Sequence, residues 1–229
     1  MVAYFLYVFS SKKLNFFPEV IINCGRYKFK CRPKTSDYWH VSTQYEKETT
    51  AYLKNIKDKK GIFIDVGAHI GRFSILLSNN FEQVISVEPT TTNYKALEEN
   101  IKLNKLKNIN PINCALSDFV GDSYIYLNKT NSGQNSLVEK TNKKERVKVQ
   151  TLDAVLKEQK INKPIKLIKI DVEGAEAEVL KGATKTLQKH HPKIVFEAWD
   201  NEKLRGIKEV LKPFGYKIKK IGEENYLSH

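Results

Sequence analysis

Cysteine is scarce in this chain: Cys24, Cys31 and Cys114 are an odd count without metal-ligand spacing. This excludes a disulfide-stapled scaffold and a cysteine-built zinc centre. Free thiols sit most naturally in a reducing compartment, so a cytoplasmic protein is expected. Cys24 and Cys31 flank residues 25–30 and are expected as two half-buried thiols of a hairpin rather than as a bridge. Long apolar runs are missing as well. The apolar stretch at residues 2–9 is far shorter than the ~20 residues that span a bilayer, and no basic residue precedes it as in a signal peptide. A packed helix is expected there, with a weak interfacial anchor, Lys12 and Lys13 at the headgroups, as the alternative. No transmembrane segment is expected. Repeats and low-complexity tracts are absent, and acidic residues are the minority: 26 Asp+Glu against 39 Lys+Arg leave a net charge of +13. Such a surface attracts phosphate, nucleic acid or an acidic membrane face. The abundance of Lys, Ile and Asn is the competing, purely compositional explanation.

What is present suffices for a core, since 229 residues with 41% hydrophobic content make one well-buried domain the simplest reading. Residues 1–60 read as an N-terminal extension, with a hairpin around 20–31 and a helix near 45–56, packing on a body of residues 61–229. In the body, short apolar runs at 62–66, 84–87, 109–114, 166–170 and 194–196 alternate with helical patterns at 72–78, 92–103, 176–189 and 201–211. Alternating strand and helix implies an α/β fold, a parallel sheet with helices on both faces. An insertion at about 122–150 interrupts the alternation, with strands at 124–127 and 147–149 around the polar loop 128–144. Long loops in compact domains usually bind something or are disordered. A hairpin of 215–218 and 225–227 closes the chain.

Two segments carry the chemistry. Ile64-Asp65-Val66-Gly67-Ala68-His69-Ile70-Gly71 and Lys169-Ile170-Asp171-Val172-Glu173-Gly174 are each an apolar run ending in a carboxylate and then glycine. A buried parallel strand delivers an acidic side chain to the rim of a sheet in this way. If the two strands are neighbours, Asp65 and Asp171 both point into the crevice where the strand order reverses. Gly67 and Gly71 let the backbone turn sharply beside a ligand. Glu88, in Ser86-Val87-Glu88-Pro89, lies 23 positions after Asp65, where nucleoside-binding α/β sheets place the carboxylate that holds the ribose hydroxyls. NAD and S-adenosylmethionine (SAM) share that feature. The anionic pyrophosphate of NAD would be repelled by Asp65, Asp171 and Glu173, whereas the sulfonium and ammonium of SAM suit them. His69 also stands where a dinucleotide fingerprint has its second glycine, so SAM is the expected cofactor.

From about residue 35 onward the chain resembles the FkbM family of SAM-dependent methyltransferases. The resemblance rests on Asp65 to Ala68 with Gly71 and Ser74, on Glu88-Pro89, Asn100, Ala115-Leu116-Ser117-Asp118 with Gly121, Asn135-Ser136-Leu137 and Thr151-Leu152-Asp153. It continues through Lys169 to Glu176 and Val179-Leu180-Lys181-Gly182-Ala183. It implies a three-layer Rossmann-like class I methyltransferase fold, with a mostly parallel seven-stranded sheet and a C-terminal antiparallel hairpin. It further implies that Asp65 and Gly67 sit near the methionine part of SAM, that Glu88 takes the ribose, and that Leu116, Ser117 and Asp118 flank the adenine. With Ala68, His69, Gly71 and Asp171 these make the expected cofactor-binding set, and S-adenosylhomocysteine is the implied product. Similar sequences commonly have Asn where this chain has His69. Both residues tolerate the left-handed backbone such a turn requires.

Methyl transfer to a hydroxyl needs alignment and removal of a proton. Asp171, Glu173 and Glu197, the last at the end of another strand, are the catalytic candidates. Their oxygens suit a divalent cation in type, although no spacing selects a metal site. His190-His191-Pro192 is expected to end a helix rather than bind metal, because sequence neighbours on a helix point apart and Pro192 stops it. The basic residues Lys140, Lys143, Lys144, Arg146 and Lys148 read as a solvated face, or as an anionic-acceptor site if they overhang the crevice. The resemblance implies a small-molecule or glycan acceptor, with O-methylation of a sugar hydroxyl foremost. The alternatives are an RNA methyltransferase, prompted by the charge, and a SAM-binding protein without catalysis; no RNA-binding module is visible.

Overall fold

Apolar side chains alternate along the central strands, so each strand feeds two cores, one on either face of the sheet. The computed structural model describes residues 18–128, 133–138 and 141–229. The expectations for residues 2–9, Lys12, Lys13 and Lys140 fall outside them. In chain order come a hairpin of β1 (Val20–Cys24) and β2 (Tyr27–Cys31), then helices α1 (Asp37–His40) and α2 (Lys47–Asn55). The body follows as β3 (Asp58–Val66), α3 (Arg72–Leu77), β4 (Phe81–Val87), α4 (Thr91–Leu103), β5 (Ile109–Ile112), β6 (Ala115–Leu116), β7 (Gly121–Tyr126) and β8 (Lys144–Gln150). It ends with α5 (Leu152–Glu158), β9 (Ile165–Ile170), α6 (Glu176–Lys181), α7 (Thr184–His190), β10 (Lys193–Glu197), α8 (Asn201–Leu211), β11 (Ile218–Lys220) and β12 (Asn225–Ser228).

The main sheet has seven strands in the order β11-β12-β10-β9-β3-β4-β5. The five strands from β10 to β5 run parallel, and β12 joins them antiparallel, with β11 antiparallel beyond it. This is the expected class I methyltransferase sheet, and its order reverses between β3 and β9. Phe63, Val84, Leu167 and Val195 fill one core with α3, α4 and the N-terminal hairpin. Ile62, Ile64, Ile168, Ile170, Ile194 and Phe196 fill the other with α5 to α8. The insertion forms its own sheet in the order β6-β8-β7.

Two local expectations change. The hairpin register sets Cys24 opposite Tyr27 and Cys31 opposite Val20, so the thiols do not face each other. Both are free and fully buried rather than half-buried. The histidine pair behaves as expected: His190 ends α7, and His191 turns into the left-handed region at φ 42° before Pro192. Its ring then stacks on Tyr216 at 4.3 Å. Among the described residues no helix is long and apolar enough to cross a membrane.

Candidate functional site

After β3 the chain turns through Gly67, His69 and Gly71 into α3. Gly67 takes φ +79°, and a Cβ there would stand 1.8 Å from the carbonyl oxygen of Asp171. Gly71, at φ +89°, would press a Cβ to 2.5 Å from Leu97 Cδ1. Neither position admits a side chain without displacing its neighbour. His69 adopts the expected left-handed conformation at φ +51°. The turn is tied to β4, as the Gly67 and Ala68 amides donate to the Val87 carbonyl at 2.9 and 3.0 Å.

The His69 amide donates to Glu88 Oε2 at 2.9 Å. Oε1 of the same carboxylate accepts from the Thr90 amide at 3.1 Å, the Thr90 hydroxyl at 2.7 Å and the Asn93 side chain at 3.3 Å. Burial pushes the Glu88 carboxyl above its ordinary range, and these donors pull it back. Oε2, with one protein donor, keeps acceptor capacity on the side where Glu88 lines a cavity of about 520 Å³, its mouth included. Gly67, His69 and Glu88 form one wall; Leu116, Ile125 and Leu137 form an apolar end; Asp171 and Glu173 form the opposite rim. Leu137 belongs to the insertion, which is latched to the rim by the Ser136 hydroxyl donating to the Glu173 carbonyl at 2.7 Å.

The rim is built on β9 and β10. Asp171, Glu173 and Glu197 bring carboxylate oxygens within 4.8 Å of one another. Glu173 stands at φ +57° in a turn clamped by Glu176, whose Oε1 accepts from the Val172 and Gly174 amides at 3.2 and 3.1 Å. Beneath them lies Lys169, only 2% exposed, whose Nζ donates to Asp171 Oδ2 at 2.8 Å and stands 4.6 Å from the Phe73 ring centre. Burial opposes the Lys169 charge, but Asp171, Glu46 and Asp65 outweigh it and hold the ammonium firmly protonated. Burial likewise works against the Asp171 anion, and Lys169 overrides it, keeping that carboxyl below its usual range. Glu197 has no such partner. Burial first, then the charges of Asp171 and Glu173, push it up to about 10, so it holds a proton and hydrogen-bonds Asp171 at neutral pH. Three carboxylates are a donor set that hard divalent cations accept. Lys169 already supplies one positive charge there, and a cation would displace the Glu197 proton.

The structure brings together Gly67, His69, Glu88, Leu116, Asp171 and Glu173 around the cavity, and leaves Asp65, Ala68, Gly71, Ser117, Asp118 and Glu197 off its lining. Asp65 is the largest departure. The strands are neighbours as anticipated, but Asp65 sits opposite Lys169 in the register, one step below the rim, and only Asp171 reaches the crevice. At 1% exposure its Oδ2 accepts from the Ser74 hydroxyl at 2.5 Å, which in turn accepts from Ser86 at 2.7 Å, while Oδ1 has no hydrogen-bond partner. Ser117 is buried with its amide donating to the Gln150 carbonyl at 2.9 Å, and Asp118 is exposed. Glu197 reaches the cavity only through Asp171. Lys144, Arg146 and Lys148 occupy the exposed side of β8, Arg146 paired with Asp122 at 3.0 Å, and none lines the cavity.

Sequence reasoning passed over Lys169 and the N-terminal residues Asp37, His40, Tyr45 and Glu46. Of the two lysines of β9, Lys166 is exposed and Lys169 is buried, a difference the sequence alone does not mark. Asp37 is fully buried, with Arg32 donating to both its oxygens at 2.8 Å. His69 Nε2 lies 3.5 Å from Asp37 Oδ1, and burial drives the His69 ring down to about 3, so it is neutral. Arg72 fastens this segment to α3 through the Thr50 hydroxyl at 2.9 Å and the Ser42 and Tyr45 carbonyls at 3.2 and 3.1 Å.

The family described as Methyltransferase FkbM domain matches residues 65–218. Methyltransferase sdnD of Sordaria araneosa is 30% identical, with 68% of this chain and 73% of that protein covered. Methyltransferase 1 of Beauveria bassiana is 28% identical, over 52% of this chain and 57% of that protein. In fold, the chain is similar to a methyltransferase FkbM of Methylobacillus flagellatus, with a TM-score of 0.57 at 18% identity, covering 85% of this chain and 54% of that one. The chain thus spans about half the length of that structure. The M. jannaschii TYW2 structure in complex with AdoMet gives 0.51 at 18% identity, covering 92% and 83%. With two thirds of its length matched from Asp65 onward, the chain belongs to the FkbM methyltransferase family.

Proposed function

We propose that the chain transfers a methyl group from SAM to a hydroxyl of a sugar, glycan precursor or related small metabolite. The observation that carries this reading is the cavity between Glu88 and Asp171: a carboxylate with one open oxygen at one end, an anionic rim at the other, and apolar Leu116 between. That donor set fits SAM, whose ribose hydroxyls would meet Glu88 and whose cationic end would meet Asp171. When bound, SAM supplies an electrophilic methyl carbon. The protein's own tasks are then to align the acceptor oxygen and to take its proton. Asp171 and Glu173 are at the rim, and Glu197 acts through its shared proton with Asp171. Ala68 and Gly71 shape the cofactor turn, while Asp65 fixes it from below through Ser74. The described part of the N-terminal extension, residues 18–60, acts as an addition to the domain of residues 61–229, and the insertion lines the cavity through Ile125, Gly133, Asn135 and Leu137. The buried free thiols fit a reducing, cytoplasmic setting.

Calorimetry with SAM, S-adenosylhomocysteine and NAD is the direct test. The first two should bind and NAD should not; NAD binding would overturn the cofactor assignment. Transfer from labelled SAM into fractionated cell extract, with and without RNase, then identifies the acceptor. Label that disappears with RNase would replace the sugar reading by RNA methylation. Asp171→Asn should weaken SAM binding as well as turnover, because it removes the charge that faces the cofactor's cationic end, whereas Asp65→Asn, one register step below the rim, should mainly loosen the cofactor turn.

A further inference from the structure

Two of the three rim carboxylates are poorly suited to take a proton from a hydroxyl. Asp171 is committed to Lys169 at 2.8 Å, and Glu197 already carries a proton. A different group packs against the cofactor turn, just behind the cavity lining. His40 closes helix α1, and its Nδ1 is 2.9 Å from the Ser36 carbonyl oxygen. A carbonyl only accepts, so Nδ1 bears the hydrogen and Nε2 presents a lone pair. Nε2 has no hydrogen-bond partner among the described residues. The ring centre is 4.6 Å from that of His69, which lines the cavity, and 4.8 Å from that of Tyr45, met edge-on. The ring is thus fixed in tautomer and held beside the cavity wall, with an acceptor nitrogen and no competing donor.

We propose that His40, from the N-terminal extension, is the general base of the reaction, an inference that rests on the hydroxyl-methylation reading above. The acceptor oxygen forms its bond to the methyl carbon while the carbon–sulfur bond breaks with its electron pair going to sulfur. The hydroxyl proton passes to His40 Nε2, and the imidazolium then releases it to water. The groups facing the ring are Asp37 on its own helix, Asp171 on the loop after β9, Arg72 on α3, His69 in the cofactor turn and Tyr45. Burial keeps the resting imidazole neutral, and the charges of Asp37 and Asp171 favour the imidazolium against that of Arg72. A base of this kind contributes typically 10²–10⁴-fold.

The test compares the wild-type chain with His40→Asn, which keeps a donor at the Nδ1 position and deletes Nε2. Calorimetric SAM affinity should be equal in the two. Transfer of labelled methyl from SAM to a panel of methyl glycosides should fall ~10²-fold or more in the variant, with partial rescue by added imidazole. The wild-type rate should decline as pH drops through a value below 6.5, the ordinary imidazole range from which burial lowers it. Nitrogen NMR of labelled histidine provides the second arm, independent of any acceptor: at pH 7 His40 should be neutral, protonated on Nδ1 and bare on Nε2. Equal SAM binding with equal rates would overturn the role of His40 and leave the methyltransferase reading intact, as would a charged ring or the opposite tautomer. A wild-type chain that fails to bind SAM would instead remove the reading on which the inference rests.

Discussion

Glu88 and Glu197 end strands β4 and β10 at the same edge of one sheet, yet the protein equips them oppositely. Glu88 is surrounded by donors from its own turn and the neighbouring cofactor turn: the His69 and Thr90 amides, the Thr90 hydroxyl and the Asn93 side chain. Glu197 is surrounded by other carboxylates, and its surroundings keep its proton on. The difference is one of supply. On the β4 side, backbone donors are preorganised and the carboxylate is already a receptor. On the β9–β10 side, Lys169 serves Asp171, Glu46 and Asp65, with Arg72 assisting at Glu46. An arrangement with more negative groups than cations is tuned toward a positively charged visitor, while one with satisfied donors is tuned toward hydroxyls.

The strongest way to break this contrast is to remove the buried cation. Lys169→Met keeps the length of the side chain but leaves buried carboxylates uncompensated, and should cost about 3–5 kcal/mol in urea unfolding at neutral pH. A loss below ~1 kcal/mol would mean that the carboxylates are neutralised by shared protons rather than by Lys169. The matching change on the other side is Glu88→Ala. It should weaken SAM binding by about 1.5–3 kcal/mol, the size of a hydrogen bond to a charged group, measured by calorimetry. Unchanged affinity would take Glu88 out of the site and leave it as a fastener of the His69 turn.

The same contrast explains what was legible in the sequence. Runs such as residues 62–66 and 166–170 announce buried parallel strands because burial on both faces demands apolar residues throughout, so the sheet could be read from periodicity. Gly67 and Glu88 were legible because the turn chemistry is local. Depth was not. Asp65 and Asp171 look alike in sequence, and only the register, which places Asp65 opposite Lys169, decides which of them reaches the crevice. Contacts supplied by distant segments left no local trace: nothing in Asp37-Tyr38-Trp39-His40 announces that these residues reach the cofactor turn, because the contact is made by His69 from the loop before α3.

The most specific effect expected isolates the proton on Glu197. In the folded chain this carboxyl titrates near 10, against 4.5 for the ordinary group. Between those values the folded state holds a proton that the unfolded chain has released, so folding stability falls as pH rises through this window. Asp171 contributes in the opposite sense: its depressed carboxyl lends stability that is lost only on acidification below the ordinary aspartate range near 3.8. From pH 5 to pH 9, therefore, Glu197 dominates the pair. Glu197→Gln keeps the shape and the hydrogen bond to Asp171 without a titrating proton. Subtracting the urea unfolding free energies of the two proteins cancels the other buried carboxyls they share, and the variant should gain on the parent steadily from pH 5 to pH 9. A difference that stays flat would show that Glu197 is ionised at neutral pH, and that the rim carries a full additional negative charge into the cavity.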